Sequence, residues 1–384
     1  MSKKQRDLRQ AKIILEDGSE FIGWAFGKPH SVAGEVVFNT GMSGLIQVLT
    51  DPGCKGQIIV CTYPVVGNTG VPVTKNGTPF FDEYGLPINL ESEKIHCAGL
   101  IVCDLCNEPS HYTCNLSLSA WLEKENIPGI FGIDTRALVI RLRERGTMRG
   151  KILMEGKLKN DFSQQSFGDV SINKINLSNH DGVSLNEIQT YKPKTGSLGI
   201  KIALIDCGVK TNIIRCLLNR GMEVIRIPCN HNFDNVDYNG LLISNGPGDP
   251  KEYKTLTENV SKVLSANKPV FGIGLGGAIL SLAAGADSCK LPFGHRGQNQ
   301  PSMEEGTNRC YVTPQNHGYT IRAESLPQHW KKWFVNANDG SIEGVLCENK
   351  PFSAVMFNPE GCPGSCETEF LFDRFISQVK EAKK

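Results

Sequence analysis

The stretch Lys268–Ala286, KPVFGIGLGGAILSLAAGA, decides how the second half of this chain is read. Pro269 to Ile273 is a short apolar run, as expected of a buried parallel strand, and Ala278 to Ala284 carries Ile279, Leu280 and Leu282, as expected of a buried helix. A glycine hinge separates the two. A strand that turns straight into a helix presents the first residue of the turn at the carboxyl edge of a sheet. The N–H groups of the helix N-terminus lie beside it, so a nucleophile and an oxyanion hole can be built there. That position is Gly274, which has no side chain to react.

Outward from this elbow the pattern alternates strand and helix. Lys201 to Asp206 is a predicted strand, Thr211 to Arg220 a helix with Ile213, Ile214, Leu217 and Leu218 on one side, and Glu223 to Ile227 the next strand. Leu241 to Ser244 follows, then a helix with Leu256, Val260, Val263 and Leu264 inward. Such βαβ alternation specifies a doubly wound, mostly parallel α/β sheet whose sites lie at the carboxyl ends of strands. Asn245-Gly246-Pro247-Gly248-Asp249-Pro250 lands at that edge beside the elbow, with Asp249 expected to shape a turn. Short strands are predicted near Tyr311, Tyr319, Val335 and Val345, then a strand over Phe352 to Phe357 and a final amphipathic helix containing Phe370, Leu371, Phe375, Ile376 and Val379.

Residues 1–155 carry a different signature, rich in strand and turn signals: Lys12 to Leu15, Asp17-Gly18, Phe21 to Phe26 and Glu35 to Phe38. They predict a β-rich N-terminal domain in the form of a small layer, continued by the apolar run Ile95 to Val102. Helices are expected over Leu116 to Glu125 and over Thr135 to Arg145, the latter capped by Asp134 and closed by Gly146. Arg136, Arg141, Arg143 and Arg145 suit a solvated helix face or a subunit contact. Residues 156–198 are polar and weakly periodic, a connection with room for a short strand, and residues 199–384 form the α/β domain.

Composition excludes several classes. The 41 basic and 40 acidic side chains nearly cancel, giving no argument for nucleic acid or a membrane surface. Fourteen scattered cysteines in an ordinary globular composition, without an export signal, predict reduced thiols and a cytoplasmic protein. Cys103 and Cys106 form a C-x-x-C without a second pair at zinc-finger spacing, and no metal is expected.

Four motifs, SNGPGDP at Ser244–Pro250, PVFGIGLG at Pro269–Gly276, QNHGY at Gln315–Tyr319 and FNPEGCPG at Phe357–Gly364, together resemble the class I glutamine amidotransferase domain. More specifically, they resemble the small subunit, or fused glutaminase domain, of carbamoyl-phosphate synthetase. LEDGSEFIGWAFG, VAGEVVFNTGMSG, LTDPGCKGQ and GIDTRALVIRLRERGTM resemble that family's N-terminal domain. The flavour is that of the eukaryotic multifunctional pyrimidine enzyme and its urea-cycle relative. The resemblance implies ammonia supply from glutamine to a synthetase large subunit or domain; ATP and magnesium would belong to that partner and no cofactor to this chain.

Within the family a Cys at the elbow attacks the amide, a His moves protons and a Glu orients the His, because an amide needs a thiolate, a base and oxyanion donors. By resemblance, Gly274 stands where the Cys belongs, Asn358 where the His belongs, and Glu360 is retained. Gly53 stands where the family often has Ser, and Gly277-Ala278 replace a His-Gln pair. Gly246, Gly248, Leu275, Asn316, Gly318 and Tyr319 still fit the family's glutamine pocket. The expectation is a pseudo-glutaminase in which Glu360 has lost its catalytic task. Two alternatives compete with it: residual amidase chemistry through water polarised by Asn316 or Glu360, and a nucleotide-binding regulatory module using the G-x-G-x-x-G run Gly272–Gly277. Cys362 and Cys366 are expected to be surface thiols, and His317 a pocket-forming residue.

Overall fold

The computed structural model describes residues 9–154 and 182–383 of the 384. The first eight residues, position 155, positions 156–181 of the expected connection and the final residue lie outside the described residues. The chain divides into two units, with Asp51–Gly53 clustering with the second rather than the first.

In the first unit alternation along the chain becomes a barrel. Its strands are β1 (Gln10–Leu15), β2 (Glu20–Gly27), β3 (Val32–Asn39), β4 (Gln57–Cys61), β5 (Val65–Val66), β6 (Gly99–Ile101), β7 (Asp104–Leu105), β8 (Pro128–Phe131) and β9 (Met148–Met154). Residues of β1 alternate between buried and half-buried, the period-two signature of a strand with one face on a core. The predicted layer is a closed barrel in the order β1-β2-β8-β6-β4-β3-β9, because β1 pairs with both β2 and β9. Closure leaves no unpaired edge, which local sequence patterns cannot announce. Of the apolar run Ile95–Val102 only Gly99–Ile101 joins the ladder. Helices α1 (Leu45–Thr50), α2 (Leu118–Lys124) and α3 (Thr135–Arg145) accompany it. The Asp134 side chain accepts the Ala137 N–H and caps α3, which buries Leu138 and Leu142.

The second unit is an α/β sheet. Its strands are β10 (Gln189–Tyr191), β11 (Ile200–Asp206), β12 (Met222–Pro228), β13 (Gly240–Ile243), β14 (Val270–Ile273), β15 (Ser288–Glu304), β16 (Cys310–Ile321), β17 (Trp330–Asn336), β18 (Ile342–Cys347) and β19 (Phe352–Val355). The helices are α4 (Thr211–Asn219), α5 (Lys254–Ser265), α6 (Leu275–Ala283) and α7 (Phe370–Lys383). Strand order is β10-β12-β11-β13-β14-β19-β18-β17-β15-β16, with parallel pairing from β12 to β19 and antiparallel strands outside. Of the parallel strands, β11, β13, β14 and β19 are buried along nearly their whole length, as βαβ crossovers require, while β12 is buried in part. Strand β10 lies in the expected connection and pairs antiparallel with β12.

Two local readings change. The strand β15 escaped sequence reasoning because Pro292, Gly294, Gly297 and Pro301 interrupt its alternation; its pairing with β16 shifts register between Lys290 and His295 and again between Gly297 and Gln300. The glycine hinge also shrinks to Gly274 alone, since α6 begins at Leu275 directly after it. Gly276 and Gly277 are helical and small for packing. A Cβ on Gly276 would collide with the Ile243 carbonyl, and one on Gly277 would come within 2.7 Å of the Val355 carbonyl. Among the described residues no helix is long and apolar enough to cross a membrane.

Candidate functional site

The parallel strands deliver their site residues to one edge. Asn245 follows β13 by two positions, Gly274 follows β14 directly, and Asn358 and Glu360 follow β19. Parallel register pairs Ile273 with Val355, and the Gly274 N–H donates to the Val355 carbonyl at 2.8 Å. Gly274 sits at φ +57°, ψ −119°, a backbone state that side chains rarely adopt and that glycine reaches without penalty. A Cβ placed there would find room: its nearest neighbours are Asn245 at 3.4 Å and the Met356 carbonyl at 3.9 Å. Leu275 and Gly276 open α6, so their N–H groups belong to the turn that lacks intrahelical acceptors. Gly276 gives its N–H to the Ser244 carbonyl at 3.0 Å.

A buried carboxylate, Asp51, gathers part of the predicted pocket. Its Oδ1 accepts the Gly53 N–H at 2.8 Å and the Asn245 side-chain amide at 3.3 Å, and its Oδ2 accepts the Asn316 amide at 2.7 Å. Gly53, Asn245 and Asn316 are thereby linked through Asp51, and Asn245 lies 3.4 Å from a Cβ placed on Gly274. Gly246 lies close under the Cys207 carbonyl and 2.9 Å, measured from an added Cβ, from the Leu275 side chain. Gly248 turns the chain at φ +90°, and Asp249 caps the next turn by accepting the Lys251 N–H at 2.9 Å, the turn role expected of it. Gly318 lies on β16 against the Arg296 guanidinium and Tyr319 is next to it. Ala278 sits apart from this group, buried in the hydrophobic core on α6.

Glu360 is engaged. Its Oε1 meets the Lys210 ammonium at 2.6 Å, with both side chains fully buried. Lys210 also donates to the Gly361 carbonyl at 2.9 Å, while its backbone N–H donates to Asn245 Oδ1 at 3.2 Å. The second carboxylate oxygen, Oε2, is buried and has no hydrogen-bond partner among the described residues. Burial pushes the Glu360 carboxyl above the usual range, and the neighbouring Lys210 charge only partly reverses this. Asn358 is buried two residues before, its N–H held by the Pro314 carbonyl at 2.9 Å. Cys366 is exposed and Cys362 half-buried in the loop that follows.

Sequence reasoning missed Lys210, Asn245 and Asp51. Asp51 and Asn245 stand inside quoted motifs, so a count of buried acceptors and donors there could have found them; Lys210, alone before a helix, offered only its position after β11.

An open α/β sheet with a strand–helix elbow and a polar cluster at its carboxyl edge defines an α/β domain whose site lies at the ends of its parallel strands. Residues 203–378 match the model of glutamine amidotransferase class-I, and residues 13–152 match that of the carbamoyl-phosphate synthase small chain, CPSase domain. The chain belongs to the carbamoyl-phosphate synthase small-chain family with its class I glutamine amidotransferase domain. It is 44% identical over 382 residues to the multifunctional protein pyr1-3 of Dictyostelium discoideum, covering 96% of this chain and 17% of that protein. It is also 44% identical over 379 residues to the mitochondrial carbamoyl-phosphate synthase [ammonia] of Mus musculus, covering 98% of this chain and 24% of that one. The chain thus spans about a quarter or less of these curated relatives. Among solved structures, a glutamine amidotransferase from Thermotoga maritima aligns with 47% of this chain and 83% of its own at TM-score 0.34 and 17% identity.

Proposed function

We propose that this chain is a glutaminase-type unit of carbamoyl-phosphate synthesis that has lost glutamine hydrolysis and supports a synthetase partner structurally or allosterically. The observation that carries the reading is Glu360: a fully buried carboxylate with one oxygen on Lys210 and the other without a donor among the described residues, two residues after Asn358. A buried acceptor left unsatisfied costs about 1–3 kcal/mol, so such an atom is a mark of a lost partner. An imidazole at position 358 is the partner that the family's chemistry would put there. Gly274 supports the same reading, since its backbone keeps the strained geometry of a nucleophile elbow while carrying no nucleophile.

The partner would bind ATP and magnesium and would draw on free ammonia; this chain would bring no cofactor. The printed name of the mouse relative, which specifies ammonia, is compatible with such a division of labour. A cytoplasmic location and a role in pyrimidine synthesis belong to the same proposal, the latter supported by the multifunctional pyr relative.

The test is ammonia release from glutamine by the parent and by the Gly274→Cys, Asn358→His double variant, each with and without a synthetase partner. Loss of a nucleophile removes roughly 10⁶ in rate, so the parent should be silent and the double variant should gain activity by orders of magnitude. Turnover by the parent would overturn the reading. The new Cys has space, yet it adopts a positive φ, so the variant should also lose about 1–3 kcal/mol of stability.

A further inference from the structure

Away from the elbow, three side chains of the second unit converge on one point. His295 on β15, His317 on β16 and Glu343 on β18 are all buried, and one ligand atom from each lies within 4.8 Å of the other two. The two inner nitrogens are defined by what the outer ones do. His317 Nδ1 faces the Tyr319 carbonyl at 2.8 Å and must donate to it, which leaves Nε2 between Gln315 Oε1 at 3.2 Å and Glu343 Oε2 at 3.3 Å. His295 Nε2 is held by Asp339 Oδ2 at 2.9 Å, which leaves Nδ1 pointing at Glu343 Oε1, 2.8 Å away. A histidine whose far nitrogen is fixed by a carbonyl or carboxylate, and whose near nitrogen faces a shared centre, is the arrangement of metal-bound imidazoles.

Glu343 supplies the independent observation. It is fully buried, and its Oε2 lies 3.3 Å from His317 Nε2 without hydrogen-bond geometry and without another donor among the described residues. Its Oε1 already takes the Asn336 amide at 3.0 Å. A buried oxygen 3.3 Å from an imidazole nitrogen and left without a donor among the described residues is an acceptor with a place for a cation.

We propose that His295 Nδ1, His317 Nε2 and Glu343 Oε2 form a divalent transition-metal site, with zinc the fitting ion for an N₂O donor set. Zinc–nitrogen and zinc–oxygen bonds of about 2.0–2.2 Å set ligand atoms somewhat over 3 Å apart in a tetrahedron, so a small opening of the His295–Glu343 contact suffices. Gln315 Oε1, 3.2 Å from His317 Nε2, is placed to offer a fourth ligand. Asp339 is 41% exposed and gives the approach from solvent. The ion would pin β15 and β16 to β18 and so hold the segment carrying Asn316 and Gly318. Its role is structural, independent of whether glutamine is hydrolysed.

The site is tested on the full chain, purified, stripped with chelator and titrated with Zn²⁺ by calorimetry and with Co²⁺ by visible absorption. The expected result is one equivalent bound with the d–d bands of tetrahedral Co²⁺ and no thiolate charge-transfer band. That signal should vanish in Glu343→Gln and His317→Gln, and Asp339→Asn should weaken binding about 10–100-fold while leaving the spectrum intact. Circular dichroism of each variant shows whether it is folded, and Asp339→Asn, altered at a partly exposed position, keeps the test decisive if a buried variant is not. Absence of a stoichiometric d–d signal in the parent overturns the proposal. So does a thiolate-type spectrum that survives in Glu343→Gln, which would assign the metal to cysteines.

Discussion

Two fully buried glutamates of the same unit are held in opposite ways. Glu343 faces two histidines: burial alone would raise its carboxyl, but the neighbouring His317 and the hydrogen-bonded His295 bring it down to about 2. Glu360 faces one lysine, and there burial prevails, leaving its carboxyl above the usual range. The difference lies in what surrounds each carboxylate: two imidazoles and the Asn336 amide at Glu343, one lysine at Glu360. Both retain one orphan oxygen. At Glu343 that oxygen still has a histidine ring at 3.3 Å, whereas Glu360 has Asn358 nearby in sequence and no donor on Oε2. At Glu360 the buried charge is neutralised by the Lys210 ammonium at 2.6 Å.

The sharpest way to break this comparison is to remove the lysine. Lys210→Met strands a buried carboxylate and should destabilise the second unit by about 3–5 kcal/mol in denaturant unfolding, against a much smaller loss for the Lys210→Met, Glu360→Leu pair. Equal losses for the single and double variants would mean that the two charges do not depend on each other.

A half-buried histidine extends the contrast to the barrel unit. His96 is driven down to about 3, first by burial and then by the positive charges of Lys94 and Lys55. Its folded value lies below that of the unfolded chain, so the unfolded state binds the extra proton as pH falls. Stability present above about 6.5 is therefore lost on acidification toward 3, at up to about 1.4 kcal/mol per pH unit. Partial exposure trims this, and thermal unfolding at pH 5 against pH 7.5 should show a loss of about 1–2 kcal/mol that His96→Gln flattens. An unchanged slope in that variant would assign the acid sensitivity elsewhere.

The smallest expected effect tests the orphan oxygen directly. Asn358→His alone restores a donor near Glu360 Oε2 and should stabilise the chain by about 1 kcal/mol, read as a raised Tm, with glutamine hydrolysis still absent because Gly274 is unchanged. A lowered Tm would show that the imidazole does not reach Oε2.

Much of this protein was legible before folding. The order of the βα elements follows from apolar periodicity, and α3 with its Asp134 cap and the strand before Gly274 follow from local chemistry. The elbow, Asn358 and Glu360 were located by motif, since residues that follow parallel strands share one edge whatever lies between them. Barrel closure, the β15 strand and the partners of the buried charges were not legible. Each depends on pairings between residues far apart in sequence: β1 with β9, Lys210 with Glu360, Asp51 with Asn316. Sequence alone determined which residue types stand at the edge of the sheet and that Gly274 has nothing to attack with. Only the tertiary structure decided that Glu360 pairs with a lysine and that Gly276 and Gly277 lie inside the helix, because burial and close backbone approach are properties of the packed chain.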